Sequence, residues 1–259
     1  MIKVRGRVEA YDLTNPALRA WWLGAIRDVC QDPVIDGVFL DGNVKVLEPM
    51  YLKAELGVAK KQALVAAYHQ MMTETREVIE PQKLMLANLL RARFPDSGLG
   101  WLGAFDGTYV EGFEERVGTL SRADYVAKGL AAVQEAAQRR AIVAFTAGAG
   151  KLTSTEVGNP QRTDEVRRQV ETEAQLVERF DYCLAMFLVC AEKHSYFLVH
   201  DGYDAATSKT WRRWPEEFDR PLGAPKGAAV RAGYTYTREF AHASVKLDIE
   251  KQTGSILWK

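Results

Sequence analysis

Five short apolar runs, each closed by a polar residue and separated by longer stretches, most of them helical in pattern, constrain this chain more than any other feature. They are Val38-Phe39-Leu40 before Asp41, Leu84-Met85-Leu86-Ala87 before Asn88, and Thr108-Tyr109-Val110 before Glu111. Ala141-Ile142-Val143-Ala144-Phe145 before Thr146 and Tyr196-Phe197-Leu198-Val199 before His200-Asp201 complete the set. Strands that read as continuous apolar runs belong to parallel sheets covered by helices on both faces. Their alternation with helices predicts successive β/α units.

The stretches between these runs carry helix signals of their own. Asn15 is suited to cap a helix that opens with Pro16, whose missing N–H is no loss at the first position. Leu18, Trp22, Ala25 and Val29 then recur at helical spacing, as do Leu64, Tyr68, Met71 and Val78 further on. Ser121 caps a helix with Val126, Leu130, Val133 and Ala137 on one face, and Thr163, followed by Asp164 and Glu165, starts a helix to about Lys193. The tail differs. Residues 234–240 and 244–249 alternate apolar with polar, and 251–254 forms a turn before 255–258, which predicts antiparallel strands. Five parallel strands do not close an eight-stranded barrel, so the expected α/β fold is either an open sheet or an incomplete (β/α)8 TIM-barrel type whose other strands lie upstream. On the barrel reading, residues 1–230 are the partial barrel, about its last five β/α units, and 231–259 a small C-terminal β appendage.

Composition narrows the function. The 259 residues carry 34 basic and 34 acidic side chains, with no Lys/Arg-rich run, so nucleic acid is not an expected partner. No apolar run is long enough to span a membrane, and Met1-Ile2-Lys3-Val4-Arg5 is not the start of a signal peptide. Cys30, Cys183 and Cys190 lack metal or disulfide spacing and read as core residues. The four histidines show no ligand spacing either, so neither metal nor cofactor is expected.

Chemistry is expected where parallel strands end, at their carboxyl termini. Asp41 and Glu111 stand there, and two carboxylates at strand ends are the raw material of acid/base work on a sugar. One gives a proton to the leaving oxygen while the other attacks or activates water. The acid needs burial or a like-charged neighbour to stay protonated near neutrality. Glu114, three residues past Glu111, is its nearest rival and a candidate substrate contact. Asn88, His200 and Asp201 close other strands and are placed to bond sugar hydroxyls. Trp211 and Trp214, in a charged loop, are candidates for stacking on sugar C–H faces. Asp36 and Asp106 precede their strands and read as turn residues.

Tyr11-Asp12-Leu13-Thr14-Asn15-Pro16, Trp21-Trp22 and Asp36-Gly37-Val38-Phe39-Leu40-Asp41-Gly42 resemble a segment of glycosidase barrels. Together with Trp214 to Gly223, Arg238-Glu239-Phe240 and Ala243-Ser244-Val245, they make the chain similar to the glycosyl-hydrolase-like family 15 group. The resemblance implies a glycoside hydrolase acting on an oligo- or polysaccharide, in a periplasmic or extracellular setting. It makes Val38–Leu40 the fourth barrel strand and Thr108–Val110 the sixth, with the first three upstream of Met1. Asp41 then falls at the nucleophile's position and Glu111 at the acid/base position. A non-catalytic carbohydrate-binding or structural barrel fragment is the alternative.

Overall fold

A computed structural model of the protein describes residues 3–4, 8–42, 44–79, 81–111, 113–114, 116, 118–148, 173–200 and 214–259. Two short antiparallel strands open it, β1 (Lys3–Val4) and β2 (Val8–Glu9). Helix α1 (Pro16–Cys30), strand β3 (Gly37–Leu40), helices α2 (Val44–Leu47) and α3 (Lys53–Val78) and strand β4 (Leu84–Ala87) follow. Then come β5 (Gly107–Val110), α4 (Arg122–Gln138), β6 (Ile142–Gly148), α5 (Glu173–Leu188) and β7 (Ser195–His200). Strands β8 (Val230–Ala232), β9 (Thr235–Glu239), β10 (Ala243–Asp248) and β11 (Thr253–Trp258) end the chain. The fold is mixed α/β. Strands β3 to β7 lie in chain order in a five-stranded parallel sheet, and β8 to β11 form a separate four-stranded antiparallel sheet. No helix among the described residues is long and apolar enough to cross a membrane.

The chain divides into two compact units, Met1–Leu89 with Trp101–Gly107 and Leu90–Gly100 with Thr108–Lys259. In the first, Asn15 caps α1 as its sequence predicts, accepting from the Ala17 N–H at 2.9 Å, with Pro16 in the first turn. The buried face of α1 departs from the expected stripe: Ile26 and Cys30 are inside, whereas Val29 is 52% exposed. Leu18, Trp22, Ile26 and Cys30 recur every four residues along one side of the helix. Trp22 on that side donates its Nε1–H to Thr75 Oγ1 of α3 at 2.9 Å. On α3, Leu64, Tyr68 and Met71 are buried, as their spacing predicts.

Strand β3 is set by a close backbone approach. A Cβ on Gly37 would lie 2.0 Å from the Leu84 carbonyl oxygen, so only glycine fits against β4. Gly37 pairs with Leu84 and Leu40 with Ala87 in parallel register. The buried Lys83 ammonium donates to the Asp32 and Ile35 carbonyls (2.8 and 2.7 Å), tying the loop before β3 to β4. Asp106, read as a turn residue, anchors β4: its Oδ2 accepts from Arg76 Nη2 (2.5 Å) and the Met85 N–H (2.7 Å). Leu40, Met85 and Ala87 are buried, but Phe39 on the opposite face is 51% exposed. Among the described residues this strand pair is therefore covered on one face rather than on two.

In the second unit, Ser121 caps α4 by accepting the Asp124 N–H at 3.0 Å. Val126, Leu130, Val133 and Ala137 are buried, the face their spacing predicts. Strand β6 runs beyond its expected end at Phe145 as far as Gly148, paired in register with β7 up to His200. Thr146 is therefore inside the strand, where its hydroxyl donates to the Val110 carbonyl at 2.8 Å. The start of α5 expected at Thr163 lies outside the described residues. The antiparallel sheet includes β8, which the pattern did not mark, and packs its Tyr236, Phe240, Val245 and Leu247 inward. Arg238 seals one side, donating to the Leu188 and Ala191 carbonyls (3.1 and 2.7 Å) and to Glu192 Oε1 (2.5 Å). The three cysteines are buried and free.

Gly254 brings β11 against α5, because a Cβ there would meet the Asp181 oxygen at 2.5 Å and Tyr182 Cα at 2.7 Å. Both neighbours are backbone, so Gly254→Ala is expected to destabilise the protein by about 1–3 kcal/mol. Gly24, inside α1 with nothing within 4 Å of an added Cβ, is the opposite case. Gly24→Ala is expected to stabilise by about 0.5–1 kcal/mol through helix propensity. Urea unfolding of the two variants measures both signs.

Candidate functional site

Asp41 is the first residue after β3 and is exposed. Its Oδ1 accepts from the Gly42 N–H (2.7 Å) and from Asn88 Nδ2 (3.2 Å). Gly42 is in the left-handed region (φ +70°), which only glycine adopts without strain and which turns the chain sharply at the strand end. Oδ2 of Asp41 has no protein partner among the described residues. Asn88 leaves β4 one strand over, is 2% exposed, and its own N–H donates to the Leu40 carbonyl at 3.1 Å. The amide thus extends the β3–β4 ladder by one bond while its side chain fixes the rotamer of Asp41. Two strand-end residues expected to act at a sugar are brought together in the first unit.

Glu111 is the first residue after β5, and its side chain is 34% exposed. Arg91, with a side chain only 12% exposed, holds Nη2 3.5 Å from Glu111 Oε2 and donates Nη1–H to the Leu90 carbonyl. The loop that carries Arg91 is closed by its N–H on the Ser97 carbonyl (3.0 Å) and by the Phe94 N–H on its own carbonyl (3.0 Å). Glu111 and Arg91 stand over a small pocket floored by Val110, Phe113, Tyr125 and Val133. A carboxylate and a guanidinium thus lie at the rim of a small hollow with an apolar floor.

Glu114 has a different environment. It is 4% exposed, and both of its oxygens are taken. Oε1 pairs with Arg122 Nη2 and accepts from the Tyr182 hydroxyl at 3.0 Å, while Oε2 pairs with Arg179 Nη2. Tyr182 also accepts from Arg122 Nη2 at 3.1 Å, and burial pushes its hydroxyl up while the two guanidinium groups pull it partly back. It stays the neutral donor that Glu114 needs.

The remaining expected contacts divide by location. His200 ends β7 paired with Gly148, and its backbone alone is described. Asp201 and Trp211 lie outside the described residues. Trp214 is 69% exposed, and its indole N–H donates to Asp219 Oδ1 at 3.0 Å. Its ring meets Phe218 edge-on (5.4 Å, 86°), and Phe218 rests in turn on Phe197 (6.0 Å). Phe197 pairs in register with Phe145, whose ring sits between Phe113 and Phe187 on the helix-covered side of β6 and β7. Trp214 is therefore an exposed ring seated on an aromatic base.

Sequence reasoning missed Arg91, Arg122, Arg179 and Tyr182. For Arg179 a signal was present, since a charged residue at helical spacing from Cys183 and Met186 sits on an apolar stripe. For Arg91 the signal was its place three residues past the strand end at Asn88.

The model of hypothetical glycosyl hydrolase family 15 matches residues 3–244. No curated protein matches the chain. The matched span includes both strand-end carboxylates, all five parallel strands, and the motif from Trp214 to Gly223 on which the resemblance rests. The chain belongs to the hypothetical glycosyl hydrolase family 15.

Proposed function

We propose that the protein is a glycosidase that cleaves a poly- or oligosaccharide with two carboxylates, Asp41 and Glu111. The observation that carries this reading is a contrast in exposure. Of the described acidic side chains that follow parallel strands, Asp41 and Glu111 reach solvent, whereas Glu114 is sealed by two guanidinium groups. A reacting carboxylate must meet its substrate, and a sealed one cannot.

Glu111 is the general acid/base by its place after β5, although the neighbour at 3.5 Å is the Arg91 guanidinium and not the like charge expected of such an acid. Its proton goes to the glycosidic oxygen as the bond to the anomeric carbon breaks. Asp41 is the nucleophile or the base, attacking the anomeric carbon through Oδ2 or taking a proton from the attacking water. Asn88, donating to Oδ1, fixes which oxygen of Asp41 faces the sugar. Membership of a glycosyl hydrolase family supports a carbohydrate substrate, and the parallel strands are read as the later strands of a (β/α)8 barrel. Trp214 is the platform on which a sugar ring stacks outside the reacting subsite.

Asp41→Asn and Glu111→Gln keep shape and remove charge. Each is expected to lower kcat/KM by about 10²–10⁴-fold on whichever member of a glycan panel the wild type hydrolyses. Near-wild-type turnover by either variant removes that residue from the reaction. Binding by calorimetry with no turnover by the wild type on any glycan would favour a carbohydrate-binding protein instead. Asn88→Ala is expected to lower kcat by about tenfold, the effect of a misoriented carboxylate, and to destabilise the fold by about 1–3 kcal/mol. Kinetics and urea unfolding of one preparation read both.

A further inference from the structure

We propose that Glu114 is a positioning residue that fixes Glu111 at the end of β5 and couples it to the antiparallel sheet, an inference that rests on the assignment of Glu111 above. The chain leaves β5 at Val110, which is 1% exposed; Glu111 turns outward, and Phe113 and Glu114 turn inward again. Phe113 is the apolar anchor. Its ring fills the space beside Gly129, where a Cβ would lie 2.8 Å from Phe113 Cε2, and it meets Phe145 at 5.0 Å. Glu114 is the ionic anchor. Burying a carboxylate is costly unless it is paired and hydrogen-bonded, and here both oxygens are satisfied by Arg122, Arg179 and Tyr182. Glu111 therefore faces outward on a stretch whose described residues on either side, Val110 before it and Phe113 and Glu114 after it, are buried.

The anchor reaches beyond the loop. Arg122 Nη1 donates to the Ile249 carbonyl at 2.9 Å, at the turn between β10 and β11. Arg179 Nε donates to the Gly148 carbonyl at the end of β6 (2.9 Å), and its Nη1 lies 3.4 Å from Gln252 Oε1. One carboxylate thus gathers the ends of β5 and β6, the start of α4, the body of α5 and the β10–β11 turn. A residue bound on every oxygen has none left for a sugar, so Glu114 acts through Glu111 and not on substrate.

The test uses the full chain with Glu114→Gln, Glu114→Asp and Arg179→Lys. Activity is read on 4-nitrophenyl glycosides, and local opening by hydrogen exchange of peptides covering 107–121 and 126–137. Glu114→Gln should speed exchange in 107–121 by about tenfold while 126–137 is unchanged. It should lower kcat by about 10- to 100-fold with KM within about twofold. Glu114→Asp should recover part of both. A raised KM at constant kcat would make Glu114 a substrate contact, and unchanged kcat in a folded variant would leave it a stability residue; either overturns the proposal. Should Glu114→Gln not fold, Arg179→Lys keeps the charge and must show the same confined rise in exchange, or the anchor is refuted. The exchange arm needs no turnover, so an inactive wild type would defeat the glycosidase reading while exchange still decides the anchor.

Discussion

The apolar sides of the parallel strands have to be removed from water, and the rest of the molecule follows from how this is done. Val143, Phe145 and Ala147 are almost fully buried, as are Val126, Leu130 and Val133 of α4 and Cys183, Leu184 and Met186 of α5. A helix that crosses from the end of one strand to the start of the next leaves successive strands parallel, with their carboxyl termini at the same edge. The residues at those termini are polar and meet different fates: Asn88 is buried at 2% exposure, whereas Asp41 is exposed. Asp41, Asn88, Glu111 and His200 are that set.

Their fates differ because their surroundings differ, and the physical logic is the cost of desolvating charge. Asp41 keeps its carboxylate in solvent and spends one oxygen on Gly42 and Asn88. Glu111 keeps about a third of its side chain exposed beside a guanidinium. Glu114, only three residues on, is buried and so requires two arginines and a tyrosine. Three carboxylates near strand ends are thereby sorted into two that reach solvent and one that is sealed by its partners.

Much of the framework was legible. Asn15 and Ser121 announced their helices because capping is a local interaction, and Leu84–Ala87 announced its strand because apolar runs are local too. Strand β6 read short because Ala147-Gly148 looks like a loop until β7 extends the register to His200. Strand β8 was invisible, being only three residues, all of them exposed. The Val29 side of α1 was assigned inward because spacing gives an apolar stripe but not the neighbour that decides which edge is covered. Asp41 and Glu111 could be picked as strand ends. The burial of Glu114 could not, since its spacing from Glu111 makes it a candidate substrate contact until Arg122, Arg179 and Tyr182 are brought in from distant segments.

The central claim is that Asp41 and Glu111 act on one glycosidic bond. A crystal structure with a bound, non-hydrolysable thio-linked oligosaccharide tests it most directly. The account predicts that the two carboxyl groups flank a single glycosidic sulfur, about 5–5.5 Å apart for a retaining enzyme or about 6.5–9.5 Å for an inverting one. A sugar bound away from either carboxylate, or the pair held well beyond that range in the complex, would contradict it.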